Sequence, residues 1–389
     1  MKKIILALSI STLILNAQNI KDDKLETIQK QKEKSILESK LQKDSWINAL
    51  DLSADYTKNK NVDSNKSSSK KVYLNFNQDI FRSGGILYTI RKGKQQELLA
   101  NEVYNNEITS LNIDINSLVL QIKKIDLQIK KQDFLIQNKT LEVEKKQEQY
   151  LNSTIDIEEL DTAVIEKNDL LNQIEDLKIS KDNLEKDLKK LSSYKYSKIK
   201  PVKLELVDVD EYLENNQNLI IQKLNSNISK IDKDITKSNY LPKVSLFSQI
   251  GYEDNSSIQE DGDYYNYGLK FSIPLDYNMN KNKEIAKVNY LLSKVSYKLK
   301  FDDEKNQYES ILKNIKSIDK KIINSAHSIK KYEDIHALTK DLYEGLIKTK
   351  QDLETIENRL NSSKLDINIL NIDKQIAIYN LHKSLKKAN

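Results

Sequence analysis

The chain carries the same pattern twice. Residues 240–252 read YLPKVSLFSQIGY and 267–275 read YGLKFSIPL; some 194 positions earlier, 46–56 read WINALDLSADY and 72–80 read VYLNFNQDI. Each pair of short alternating segments precedes a very long Lys/Ile/Asn/Glu-rich stretch with helical periodicity. Internal repetition on this scale constrains architecture more than any single residue, because each copy must bury the same faces in the same order. The organisation it predicts is a signal segment over 1–17, a first repeat over 18–194, a linker over 195–207 and a second repeat over 208–389.

The signal segment reads MKKIILALSISTLILNA: Lys2 and Lys3, an apolar run from Ile4 to Leu15, and a small residue at Ala17. That is the layout of a secretory leader cut after Ala17. The apolar run is too short for a membrane-spanning helix, and no other stretch approaches ~18 apolar residues. The expectation is therefore an exported chain. The absence of cysteine excludes thiolate chemistry, disulfides and an N-terminal lipid anchor.

Losing Lys2 and Lys3 with the leader takes the formal charge from +5 to +3. Both signs are dense and interspersed, which describes a solvated helical surface rather than a nucleic-acid footprint. Only 7 Gly and 3 Pro in 389 residues, with a mean hydropathy of -0.65, fit long helices and argue against a thick core. Tyrosine is abundant, 20 against 6 Phe and 1 Trp, and several fall in the strand candidates, where an amphipathic ring suits a membrane–water boundary.

A modest helix is predicted over 24–45. In the strand candidates, Leu50, Leu52, Ala54 and Tyr56 alternate with Asp51, Ser53 and Asp55, and Val72, Leu74, Phe76 and Ile80 with Tyr73, Asn75, Asn77 and Asp79. The second copy sets Val244, Leu246, Ile250 and Tyr252, then Leu269, Phe271 and Ile273, on one face. Alternation over about ten residues fits a half-buried hairpin or a transmembrane barrel strand. Residues 57–70 read as a polar loop. The two hairpin loops differ in sign, basic in the first (Lys58, Lys60, Lys66, Lys70, Lys71) and acidic in the second (Glu253, Asp254, Glu260, Asp261, Asp263); solvated loop charge is the expectation, pairing between subunits the alternative.

Along the first long segment Ile108, Ile115, Ile122, Ile129, Ile136, Val143 and Tyr150 recur every seven residues, with Leu111, Leu118 and Ile125 completing a heptad seam. A second stripe, Ile113, Leu120, Leu127, Phe134 and Leu141, points elsewhere. Two seams require a neighbour on each side of the helix. Positions 193 further on hold Phe301, Tyr308, Ile315, Ile322, Ile329, His336 and Tyr343. Helices are predicted over about 87–150 and 282–345, each ~96 Å long at 1.5 Å per residue. Shorter ones at 208–238 and 352–387 could stack end to end beside a long one.

Four strands cannot close a barrel, and unpaired edges are intolerable in lipid, so copies must associate around one axis. At this point the chain resembles the TolC family of outer-membrane efflux and secretion channels. The resemblance is carried by Leu241–Pro242 entering a strand, by Gly268, Leu269, Ser272, Pro274 and Leu275 in a "GLxxSxPL" strand, by Gly84–Gly85, and by reversals at 150–163 and 343–355. It covers nearly the whole mature chain. Departures from the family pattern are Ile47 and Asp79 where prolines would fall, Met279–Asn280 in place of a second Gly–Gly, and an abbreviated N-terminal helix.

The resemblance implies a mainly α fold with a β-barrel contribution: a duplicated strand–strand–long helix–short helix unit, trimeric, with a 12-strand outer-membrane barrel continued by a periplasmic α-helical barrel. It implies a passive exit duct of a tripartite efflux pump or type I secretion system. Its partners would be two further copies of itself, a periplasmic adaptor (membrane fusion) protein, an inner-membrane transporter and outer-membrane lipid, with no nucleic acid. No cofactor, metal or catalysis is expected. It also places acidic rings at the periplasmic tip, which carries over to Glu159 and Asp352, 193 apart, with Asp156 and Asp161 contributing and Lys348 as the basic residue holding a closed state. Carboxylates in a first helical turn also complement the helix dipole, which accounts for acidity at 156–161 without any gate. His327, His336 and His382 read as surface or seam residues. The other reading of the whole chain is a soluble periplasmic coiled-coil adaptor or tether.

Overall fold

The computed structural model describes residues 19–60, 66–255 and 260–386. The signal segment at 1–17 lies outside the described residues, as do the hairpin tips at 61–65 and 256–259. The elements run α1 (Asp22–Asp44), β1 (Leu50–Lys60), β2 (Lys66–Phe81), α2 (Gly85–Leu151), α3 (Ile157–Leu191), a 3-10 turn (Tyr196–Lys198), α4 (Val209–Glu214), α5 (Gln217–Ser238), β3 (Lys243–Asn255), β4 (Glu260–Ser272), α6 (Met279–Glu344) and α7 (Lys350–His382). Chain contacts divide the described residues into two compact units, each drawing on both halves of the sequence: 19–28, 105–217 and 302–386 in one, 29–104 and 218–301 in the other.

The second unit holds a single antiparallel sheet in the order β1-β2-β3-β4. Its register follows from the alternation. Leu52 pairs with Leu74, Leu74 with Ile250, and Leu246 with Leu269, so the apolar residues of four strands share one face. The strands are longer than the apolar alternation indicated. Much of 57–70, read as a loop, is strand, with Thr57 opposite Ser69 and Lys60 opposite Lys66. Lysine and serine are weak strand formers, but cross-strand partners extend the ladder. Lys70 pairs with Asp254 at 3.2 Å and Lys71 with Glu253 at 2.9 Å, so these opposite charges meet within one chain.

The turn from β2 into α2 explains Asp79. Its side chain is buried, accepts from Ser245 Oγ of β3 at 2.6 Å, and receives Arg82 through Nε at 3.0 Å and Nη2 at 2.8 Å. Ser83 and Gly84 then take φ of 43° and 87°, a left-handed step that glycine accommodates, and Ser83 Oγ donates to the Pro242 carbonyl at 2.6 Å. One strand end, its neighbour and the helix start are thus fixed by a single carboxylate where the family resemblance would have a proline.

In the first unit α2 has neighbours on two sides. Ile115, Val119 and Ile122, all fully buried, pack with Leu188 of α3 and with Ile20 and Ile199. A separate cluster joins Tyr212 of α4, Tyr308 and Ile315 of α6, and Ala377, Ile378 and Leu381 of α7. At its centre Glu304, 1% exposed, accepts from Tyr212 Oη at 2.7 Å and Asn216 Nδ2 at 2.8 Å. The strand-free stretch after Tyr196–Lys198 is tied down along α7: Gln375 meets the Leu204 backbone, Tyr379 Oη donates to the Val202 carbonyl, and His382 Nε2 lies 2.8 Å from the Glu205 carbonyl.

Candidate functional site

The candidate site is the pair of helical reversals in the first unit, where the residues singled out in the sequence fall. The turn between α2 and α3 is built on Ser153, at φ 55°, whose N–H donates to the Tyr150 carbonyl at 2.8 Å; Thr154 donates to Gln149 O through both N–H and Oγ1. The turn between α6 and α7 places Leu346 at φ 60°, again 193 positions on, with its N–H on Tyr343 O at 3.0 Å. A left-handed leucine is strained, since its Cβ crowds the following carbonyl. It is held by Ile347 and Lys348, whose N–H groups both reach the Leu342 carbonyl.

Asp352 is the most constrained of the five. Thr349 caps α7 and Asp352 occupies the third helical position, and the two exchange hydrogen bonds: Asp352 N–H to Thr349 Oγ1 at 3.1 Å and Thr349 N–H to Asp352 Oδ2 at 3.1 Å. That backbone N–H holds the carboxyl below the usual carboxylate range; burial opposes it, and the Thr349 hydroxyl and the charges of Lys348 and Lys145 add to it. Lys348 is exposed and close enough for its charge to count. Glu159 is engaged elsewhere: its carboxylate lies 3.7 Å from Lys146 Nζ, which also donates to the Glu159 carbonyl at 3.2 Å. Asp156 sits at the N-cap of α3 but makes no capping side-chain bond, and Asp161 is exposed. Asp352 is held by the α7 cap with the Lys348 charge acting on it, Glu159 is held by Lys146, and among the described residues Asp156 and Asp161 make no side-chain bond to either.

Sequence reasoning missed the residues opposite. Lys146 on α2 pairs with Glu159, and the charge of the adjacent Lys145 adds to the lowering at Asp352. Two polar ladders run along α2. Toward α7 the rungs are Lys124–Asp373 at 2.7 Å, Lys131–Asp366 at 2.6 Å, and Asn138 with Thr355 O and Asn358. Toward α3 they are Gln132–Gln173 at 2.8 Å, Lys139–Glu166 and Lys146–Glu159. Each ladder steps by seven residues along α2, the same interval as the apolar seams. That spacing was the available signal.

No protein-family model matches the chain, and no curated protein matches it by sequence. Its fold does have close counterparts among solved structures. CusC, described by its folding and transmembrane channel formation, aligns over 97% of this chain and 92% of its own with a TM-score of 0.75 at 15% identity. The Campylobacter jejuni CmeC outer membrane channel aligns over 97% and 86% with a TM-score of 0.75 at 16% identity. The Vibrio cholerae outer membrane protein VceC aligns over 97% and 96% with a TM-score of 0.76 at 13% identity. At these identities the likeness is one of fold: a mostly helical chain with a small antiparallel sheet, in the arrangement of TolC-family channels.

Proposed function

We propose that this chain is the outer-membrane duct of an efflux pump, a non-enzymatic protein of a Gram-negative envelope whose helices extend into the periplasm. In this reading three copies close a 12-strand barrel, and the twin repeats supply equivalent sectors of one tube. A periplasmic adaptor and an inner-membrane transporter would complete the assembly, and the transporter would supply the energy. Protein secretion through the same duct is the other use this architecture serves.

The observation that carries the reading is the sheet. Leu52, Tyr267, Leu269 and Phe271 are 74%, 72%, 67% and 66% exposed on one continuous apolar face. Water penalises such a face by about 25 cal/mol per Å² of apolar area, whereas lipid accepts it. A four-stranded sheet with two free edges cannot sit in lipid alone, which supports closure by further copies.

The reversals would form the periplasmic gate, with Glu159 and Asp352 as carboxylate rings and Lys348 as the latch. Planar-bilayer recording tests both levels. The purified protein should conduct, and Glu159→Gln with Asp352→Asn, which remove charge but keep shape, should raise resting conductance and relieve block by divalent cations. Unchanged conductance and block would remove the gate assignment and leave the duct intact. A protein that never conducts would remove the duct as well.

A further inference from the structure

Among the described residues both edges of the sheet, β1 and β4, are unpaired, and the charges at their outer ends are opposite. On β1, Lys58 and Lys60 continue the row of Leu50, Leu52 and Tyr56; on β4, Asp261 and Asp263 continue the row of Phe271, Leu269 and Tyr265. All four charged side chains are exposed and lie on the same face of the sheet. Among the described residues Lys58, Lys60 and Asp263 make no salt bridge, and Asp261 accepts from Tyr252 Oη at 2.9 Å. Their counterparts on β2 and β3 are already matched, through Lys70–Asp254 and Lys71–Glu253.

We propose that β4 of one copy pairs antiparallel with β1 of the next in a single register, with Lys58 opposite Asp263 and Lys60 opposite Asp261. The partner is a second copy of this chain, and the premise is the closed trimer proposed above. The register has consequences along the whole edge. It sets Leu52 opposite Leu269 and Leu50 opposite Phe271, so the apolar face continues across the joint. On the polar face it sets Asp51 opposite Lys270, two exposed residues with no salt bridge of their own among the described residues.

Neighbouring registers lose this match. A slip of two residues either way places Asp51 opposite Gly268 or Ser272 and keeps only one Lys–Asp pair. A stagger in the opposite sense sets Leu52 against Asp261 and Leu50 against Asp263. Barrel geometry agrees independently. Within the sheet, Thr57, Ser69, Asn255 and Glu260 form one level row. The proposed pairing offsets that row by four residues per copy. An offset of about 13 Å across four strands spanning about 19 Å tilts the strands by about 35°, within the range that closed barrels adopt.

Cysteine cross-linking tests the register in the full-length protein, which has no native cysteine. Lys58→Cys with Asp263→Cys should give a covalent trimer on oxidation, because directly opposed strand residues fall within disulfide reach. Lys58→Cys with Asp261→Cys, and Lys58→Cys with Tyr265→Cys, should cross-link several-fold less, being diagonal pairs. Faster linkage in either diagonal variant would overturn the register while the trimer stands. An intact trimer with no linkage in any variant would overturn the edge pairing. A native protein that is monomeric in detergent would overturn the trimer, and the register with it. A charge swap guards against folding failure of the cysteine variants: Lys58→Asp should lower trimer yield and adding Asp263→Lys should restore it. A double swap as poor as the single one would contradict the pairing.

Discussion

Asp352 spends its carboxylate on the start of α7, which bears on any role it has in gating. Replacing it by Ala removes one half of a capping box and should cost about 1 kcal/mol of local helix stability. Its folded pKa is depressed, so its contribution is present above the unfolded carboxylate value and is lost as pH falls through the folded one. The difference in melting midpoint between wild type and Asp352→Asn should therefore be constant near neutrality and shrink below about pH 4. Circular dichroism melts between pH 3 and 7 check this. A gap that widens in acid would mean the carboxyl is stabilised in its protonated form.

Glu304 is a residue of the opposite kind: invisible in the sequence and central in the fold. One glutamate among many in a chain whose residues are 31% charged reads as solvated surface. Only the arrival of Tyr212 and Asn216 from the far side of the chain buries it, and burial pushes the Tyr212 hydroxyl upward with the adjacent carboxylate adding to the shift. Glu304→Leu would strand both donors and should cost about 2–3 kcal/mol, far more than any exposed charge on α6. Thermal unfolding in detergent measures it; a change below about 0.5 kcal/mol would show that the donors find other partners.

At the scale of elements, the question is what holds α2 between α3 and α7. The apolar seam and the polar ladders share a seven-residue interval but not a magnitude. Ile115 and Ile122 are fully buried, and truncating either to Ala should cost about 2–4 kcal/mol. The ladder ion pairs are only half-buried, and Lys124→Ala or Lys131→Ala should cost about 0.3–1 kcal/mol each. Burial supplies the stability and the charged rungs select the register, since a slip of α7 by one turn would part Lys124 from Asp373 and Lys131 from Asp366 together. Lys139 shows the balance at one position: burial lowers its pKa, yet Glu142 and Glu166 outweigh it and the net shift is upward. If the lysine variants proved as damaging as the isoleucine ones, this division of roles would be wrong.

The seams were legible because apolar residues at heptad spacing stand out against a polar background. The ladders were not, because Lys and Asp at the same spacing are indistinguishable from a solvated face until a partner helix is known. The strands were legible where apolar residues alternate. Their outer ends were missed because Lys70, Lys71 and their neighbours have weak strand propensity, and the pairing with Asp254 and Glu253 comes from residues more than 180 positions away.

On the scale of the molecule, one face of one sheet decides between a duct and a soluble tether. Leu52, Leu269 and Phe271 stay exposed, with nothing among the described residues covering them. The most direct test is to express the chain with its own leader, fractionate the envelope and measure the mass of the extracted species in detergent. A duct should stay in the outer membrane through salt washing, need detergent for release and emerge as a trimer. An elongated monomer released by buffer or salt alone would contradict the duct reading.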